Sequence, residues 1–85
     1  METRVALIGI IVENSESTAQ LNALLHDAGL YIIGRMGLPY RQKNVNIICV
    51  AVDAPQNIIS AMSGKLGLLA GVNTKTVYSN VIAKE

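Results

Sequence analysis

Val5-Ala-Leu-Ile-Gly-Ile-Ile-Val12 and Val45-Asn-Ile-Ile-Cys-Val-Ala-Val52 are the stretches on which the fold turns. Both are rich in β-branched residues and apolar at nearly every position, the mark of strands that want burial on both faces. Gly9 interrupts the first and signals a bulge or the close approach of another backbone or helix. Each of the two strands leads into a segment with helical spacing. Asn14-Ser15 offers side-chain oxygens to cap a helix carrying Thr18, Leu21, Leu25 and Ala28 on one face with Leu24 beside them, and Gly29 stands where a left-handed C-terminal cap belongs. Asp53-Ala54-Pro55 opens a second helix that runs to about Leu66. Its inward stripe is Ile58, Ile59, Met62, Leu66 and then Leu69, with Gln56, Ser60 and Ser63 outward. Gly64 within it points to fraying or a close contact.

Two weaker strands complete the pattern. Residues 30–38 form one, with Gly34 and Gly37 predicting a bend or bulge near its far end. Residues 39–44 are then a polar hairpin loop, and Pro39, which has no amide proton to donate, ends the ladder. Residues 72–81 alternate Val72, Thr74, Thr76 and Tyr78 against Asn73, Lys75 and Val77, as a half-exposed edge strand does. The order strand, helix, strand, strand, helix, strand is the split βαβ, or ferredoxin-like, pattern of an α+β fold. It predicts a four-stranded antiparallel sheet with two helices on one face and the two most apolar strands in the middle.

At 85 residues the chain reads as a single domain, 1–85, near the size at which one hydrophobic core is thin. Two helices cover one face of a sheet, so the other must meet something apolar. A second copy of the chain is the simplest answer, giving a homodimer or tetramer through the sheet face, and a hydrophobic fraction of 51% agrees with a buried interface. Disulfides are excluded as the staple because Cys49 is the only cysteine. A reducing, cytoplasmic setting fits, with no leader pattern at the start and no apolar run long enough for a bilayer.

Composition also excludes much chemistry. A net charge of +1 leaves no basic footprint for nucleic acid, and the two central strands carry no aromatic residue on which bases could stack. His26, the only imidazole, lies on a helix flank near Asp27 and reads as a surface histidine rather than a member of a Ser-His-Asp constellation, and with one His and one Cys, well separated, a nitrogen- and sulfur-ligated tetrahedral metal site is not expected within one chain. Ser63-Gly64-Lys65-Leu66 is no phosphate cradle, because Leu66 replaces the hydroxyl residue and Ile59 the first glycine. No catalytic residue, metal or cofactor is expected.

One segment stands out in so charge-poor a chain. Tyr31-Ile-Ile-Gly-Arg-Met-Gly-Leu-Pro-Tyr-Arg41 holds two arginines and two tyrosines. Arg35 and Arg41 are read either as ordinary solvated or ion-paired charges, or as an anion-recognition pair at a subunit edge that uses the bidentate guanidinium geometry. The second reading places a small anionic ligand at Asn14, Ser15, Arg35 and Arg41, where the first strand-helix loop meets a neighbouring subunit.

Together with the first strand, Leu21-Asn-x-x-Leu25-His26, Ser60-Ala-Met-Ser-Gly-Lys-Leu-Gly67 and Gly71-Val72, this segment resembles the iron-only hydrogenase system regulators, over nearly the whole chain. The resemblance implies a small bacterial regulatory protein with an ACT-like or nickel-regulator-like ferredoxin-like domain. It further implies assembly through the sheet and a hydrogenase-related protein or regulator as partner. Residues 13–18 lack the glycine of amino-acid-binding ACT domains, and nickel ligands have no counterpart beyond His26 and Cys49. Neither amino-acid nor nickel binding is therefore carried over. The resemblance implies a non-enzymatic regulatory or ligand-sensing domain acting as a homo-oligomer. The alternative is a pure oligomerisation and protein-interaction module with no small ligand.

Overall fold

The computed structural model describes residues 2–82. Its elements are β1 (Arg4–Val12), a 3-10 turn (Ser15–Ser17), α1 (Thr18–Asp27), a 3-10 turn (Gly29–Tyr31), β2 (Ile32–Tyr40), a 3-10 turn (Arg41–Lys43), β3 (Val45–Ala54), α2 (Gln56–Gly67) and β4 (Val72–Ile82). The strands form one antiparallel sheet in the order β2-β3-β1-β4. This is the ferredoxin-like arrangement, with the two most apolar strands at the centre. Ile8 of β1 is flanked by Val50 of β3 on one side and Thr76 of β4 on the other.

Alternation along β1 separates the two faces. Ala6, Ile8, Ile10 and Val12 are no more than 3% exposed and join Leu21, Leu25, Ile59, Leu66, Val50 and Val52 in the core between sheet and helices. The residues between them point the other way, and Leu7 and Ile11 are 45% and 42% exposed. Period-two side chains on a sheet with helices on one side allow no other outcome.

Two tertiary clamps hold the ends of β1. At its start, Arg4 donates Nη1 to Gln56 Oε1 (2.9 Å) and Nη2 to the Ser79 carbonyl (2.8 Å), and its guanidinium lies 4.7 Å from the centre of the Tyr78 ring. The register of β1 against β4 shifts between Arg4 and Ala6 at this point. Beyond its other end, the Glu13 amide donates to the Gly71 carbonyl (2.6 Å) and the buried Ser17 hydroxyl to the Ala70 carbonyl (2.6 Å).

Several local expectations are corrected. Gly29 is not a left-handed cap: among the described residues the positive-φ positions are Gly71 and Asn44, and α1 instead tightens into the following 3-10 turn, with the Tyr31 amide donating to the Ala28 carbonyl (2.9 Å). Strand β2 starts and ends later than residues 30–38, and its irregularity lies between Ile32 and Gly34, near its beginning. Pro39 does not end the ladder. It pairs with Asn46 inside an edge strand, where a missing donor can face away from the sheet. The hairpin therefore shrinks to Arg41–Lys43 and Asn44, whose left-handed φ of 56° closes the turn. Asp53 belongs to β3 and Pro55 is itself the N-cap of α2, without a side-chain cap. Ser63 faces β4 rather than solvent, accepting a hydrogen bond from the Thr76 hydroxyl (3.1 Å). Gly64 marks neither fraying nor contact, since α2 continues through it and its Cβ position is empty.

Candidate functional site

Two surface features are candidates for function. The first is the bare face of the sheet. Leu7 and Ile11 from β1, Met36 and Leu38 from β2, Ile47 from β3 and Val77 from β4 are all exposed on it, Met36 at 67% and Val77 at 65%. At its centre lies a depression of about 400 Å³ lined by Gly9, Ile11, Ile47, Cys49 and Lys75 among others. Gly9 makes this hollow by lacking a side chain. A Cβ there would meet nothing closer than the Lys75 carbonyl at 3.7 Å, so no other part of this chain explains the glycine by close approach, and β1 has no bulge at that position.

The second feature lies on the helix-bearing side. α1 and α2 leave the edge strand β2 uncovered, so Arg35, Gly37 and Pro39, which pair with Val50, Ile48 and Asn46, border a cleft against α1. The cleft measures about 320 Å³, with Val12, Leu21 and Ile48 as apolar floor and Thr18, Asn22, Arg35 and Asn46 as polar lining. Arg35 is held in place by a hydrogen bond from Nη2 to the Asn22 side-chain oxygen (3.1 Å). A smaller depression of about 80 Å³ adjoins it, sharing Val12, Pro39 and Asn46 and adding Ser15, Tyr40, Arg41 and Asn44.

The four residues singled out in the sequence are thus distributed unequally. Ser15 and Arg41 line the smaller depression and Arg35 the larger. Asn14 lines neither. Its side-chain oxygen accepts from the Glu16 amide (3.0 Å), capping the first 3-10 turn, and its backbone packs against Gly71. Sequence reasoning missed Asn22, Gly37 and Asn46. Asn46 left a legible trace as the one polar break near the start of an apolar strand, whereas Asn22 sits on the polar flank of a helix, where asparagine carries no signal.

His26 is exposed on α1, and Cys49 is half-buried toward the opposite sheet face. Among the described residues no three His, Cys, Asp or Glu side chains group closely enough to hold a metal, and no helix is long and apolar enough to cross a membrane.

With this geometry in place, comparison with known proteins is informative. A family model described as "TM1266-like: Iron-only hydrogenase system regulator, putative" matches residues 4–76. The chain belongs to this family. Among solved structures, the uncharacterized protein TM1266 from Thermotoga maritima is similar at 36% identity and a TM-score of 0.86, covering 89% of this chain and 96% of its own. A formyltetrahydrofolate deformylase from Pseudomonas putida KT2440 has a TM-score of 0.65 at 12% identity, over 91% of this chain and 29% of that one. That second likeness is one of fold alone. A comparison with curated proteins finds no match. The matched residues span β1, α1, β2, β3, α2 and the start of β4, and so include the cleft and, of the bare-face residues named above, all but Val77.

Proposed function

We propose that this TM1266-like chain is a single-domain, non-enzymatic regulator of an iron-only hydrogenase system, acting in the cytoplasm as a homo-oligomer paired through the bare face of its sheet. The family description supports the regulatory role. The apolar face supports the assembly: Leu7, Ile11, Met36, Leu38, Ile47 and Val77 lie on one side of the sheet, all exposed in a single copy. Four strands about 4.8 Å apart and nine residues long at about 3.3 Å each give a face of roughly 600 Å², near the ~800 Å² per partner that stable interfaces bury. An isologous pair presents the same face twice, and the hollow at Gly9 takes up side chains from the opposing copy. Output then passes to a hydrogenase-related protein or regulator, a reading that agrees with a net charge of only +1, too small for the footprint of a nucleic-acid binder.

Light scattering on the purified chain tests the assembly. The wild type at micromolar concentration is expected at twice or four times the protomer mass, and the Leu7→Lys, Ile11→Lys double variant at the mass of one. Both side chains are solvated in the single copy, so charge there leaves the fold intact while opposing the pairing. A monomeric wild type, or a variant of unchanged mass, rejects the interface.

A further inference from the structure

We infer that the cleft between α1 and β2 is a binding site for a small organic anion, a carboxylate or phosphate attached to an apolar body. It lies on the helix-bearing side of the sheet and stands independently of the interface reading. Of the residues assigned to an anion from sequence it keeps Ser15, Arg35 and Arg41, leaves out Asn14 and adds Asn22 and Asn46.

Charge defines the acidic half of the ligand. Among the described residues the two guanidiniums are the only charged groups lining either depression, and no carboxylate opposes them there. Arg35 is oriented by the neutral side-chain oxygen of Asn22, which occupies one donor and leaves the positive charge uncompensated. A guanidinium steadied by an amide and free of a local counter-ion is prepared for a bidentate anion.

Shape defines the other half. The half-buried Ile48, backed by the fully buried Val12 and Leu21, forms the floor, so an apolar group resting there is removed from water on one side. Gly37 keeps the β2 wall low, and nothing lies within 4 Å of its Cβ position. Asn46 stands where the two depressions join, so a ligand seated on the floor near Arg35 can extend toward Ser15 and Arg41.

Amide NMR of the labelled full chain, titrated with phenyl phosphate to about 10 mM, tests this, since an unoptimised probe binds in the millimolar range. Saturable shifts of the Leu21, Asn46 and Ile48 amides are expected, with benzoate shifting the same set and inorganic phosphate binding more weakly than either. Arg35→Gln is expected to weaken binding at least about tenfold, the loss of one charge-assisted contact, and Arg41→Gln in the same direction. Gly37→Val, whose Cβ enters open space, obstructs the cleft and is expected to remove binding while the unfolding midpoint holds or rises. The site is rejected if those amides do not move, if phenol binds as tightly as phenyl phosphate, or if Arg35→Gln or Gly37→Val binds like the wild type. The oligomeric mass is expected to be the same with and without the probe, so failure here and failure of the interface are told apart.

Discussion

Gly71 shows how much one residue can carry. Its φ of +68° is a conformation that L side chains rarely adopt, and a Cβ there would stand 2.6 Å from Asn14 Cβ and 3.0 Å from the Asn14 amide nitrogen. The neighbour is backbone and cannot swing aside, because the Glu13 amide is tied to the Gly71 carbonyl and the Ser17 hydroxyl to the Ala70 carbonyl. Gly71→Ala is therefore expected to lower stability by about 2–4 kcal/mol, from left-handed strain plus displacement of the β1–α1 loop, read as a fall in the urea midpoint at unchanged slope. A loss under about 1 kcal/mol would show that the loop yields easily. In the sequence Gly71 was visible only as punctuation between a helix and a strand. Its partner Asn14 is distant in the chain, and Arg4, which reads as a charge bounding a strand, likewise gains its role from Gln56, Ser79 and Tyr78 brought to it by the fold.

Elements were legible where periodicity was strong and illegible where glycine and proline left the ends to tertiary context. The burial of Leu21, Leu25, Ile59, Met62 and Leu66 follows the helical stripes, and that of Ala6, Ile8, Ile10 and Val12 follows strand alternation. Strand β2, with two glycines and a proline, carries no such stripe; its ends are set by the partner β3, which extends the ladder through Pro39 to a Tyr40–Val45 pair. α2 holds a glycine that nothing in the fold requires. Gly64 sits in the helix interior with open space at its Cβ, so Gly64→Ala is expected to stabilise by about 0.5–1 kcal/mol, raising the melting temperature by roughly 4–8 °C per kcal/mol in a domain of this size. Differential scanning calorimetry checks it. An unchanged or lowered melting temperature would show that the glycine costs α2 nothing at this position.

At the scale of the whole molecule, one face of the sheet is finished and the other is not. If pairing through Leu7, Ile11, Met36 and Ile47 completes the structure, unfolding is coupled to dissociation, and the thermal midpoint is expected to climb with protein concentration. A midpoint constant over a hundredfold range of concentration would mean that the single copy is the stable unit. The sequence by itself determined the order of elements, the central place of β1 and β3 and the surplus of apolar surface, because these come from hydrophobic periodicity and composition, which are local and additive. Only the tertiary structure decided that Arg35 meets Asn22 over an apolar floor, that Asn14 backs onto Gly71, and that Gly9 opens a hollow rather than admitting a neighbour from its own chain. Those are contacts between residues far apart in the chain, and their geometry exists only after the sheet register and helix placement have been set.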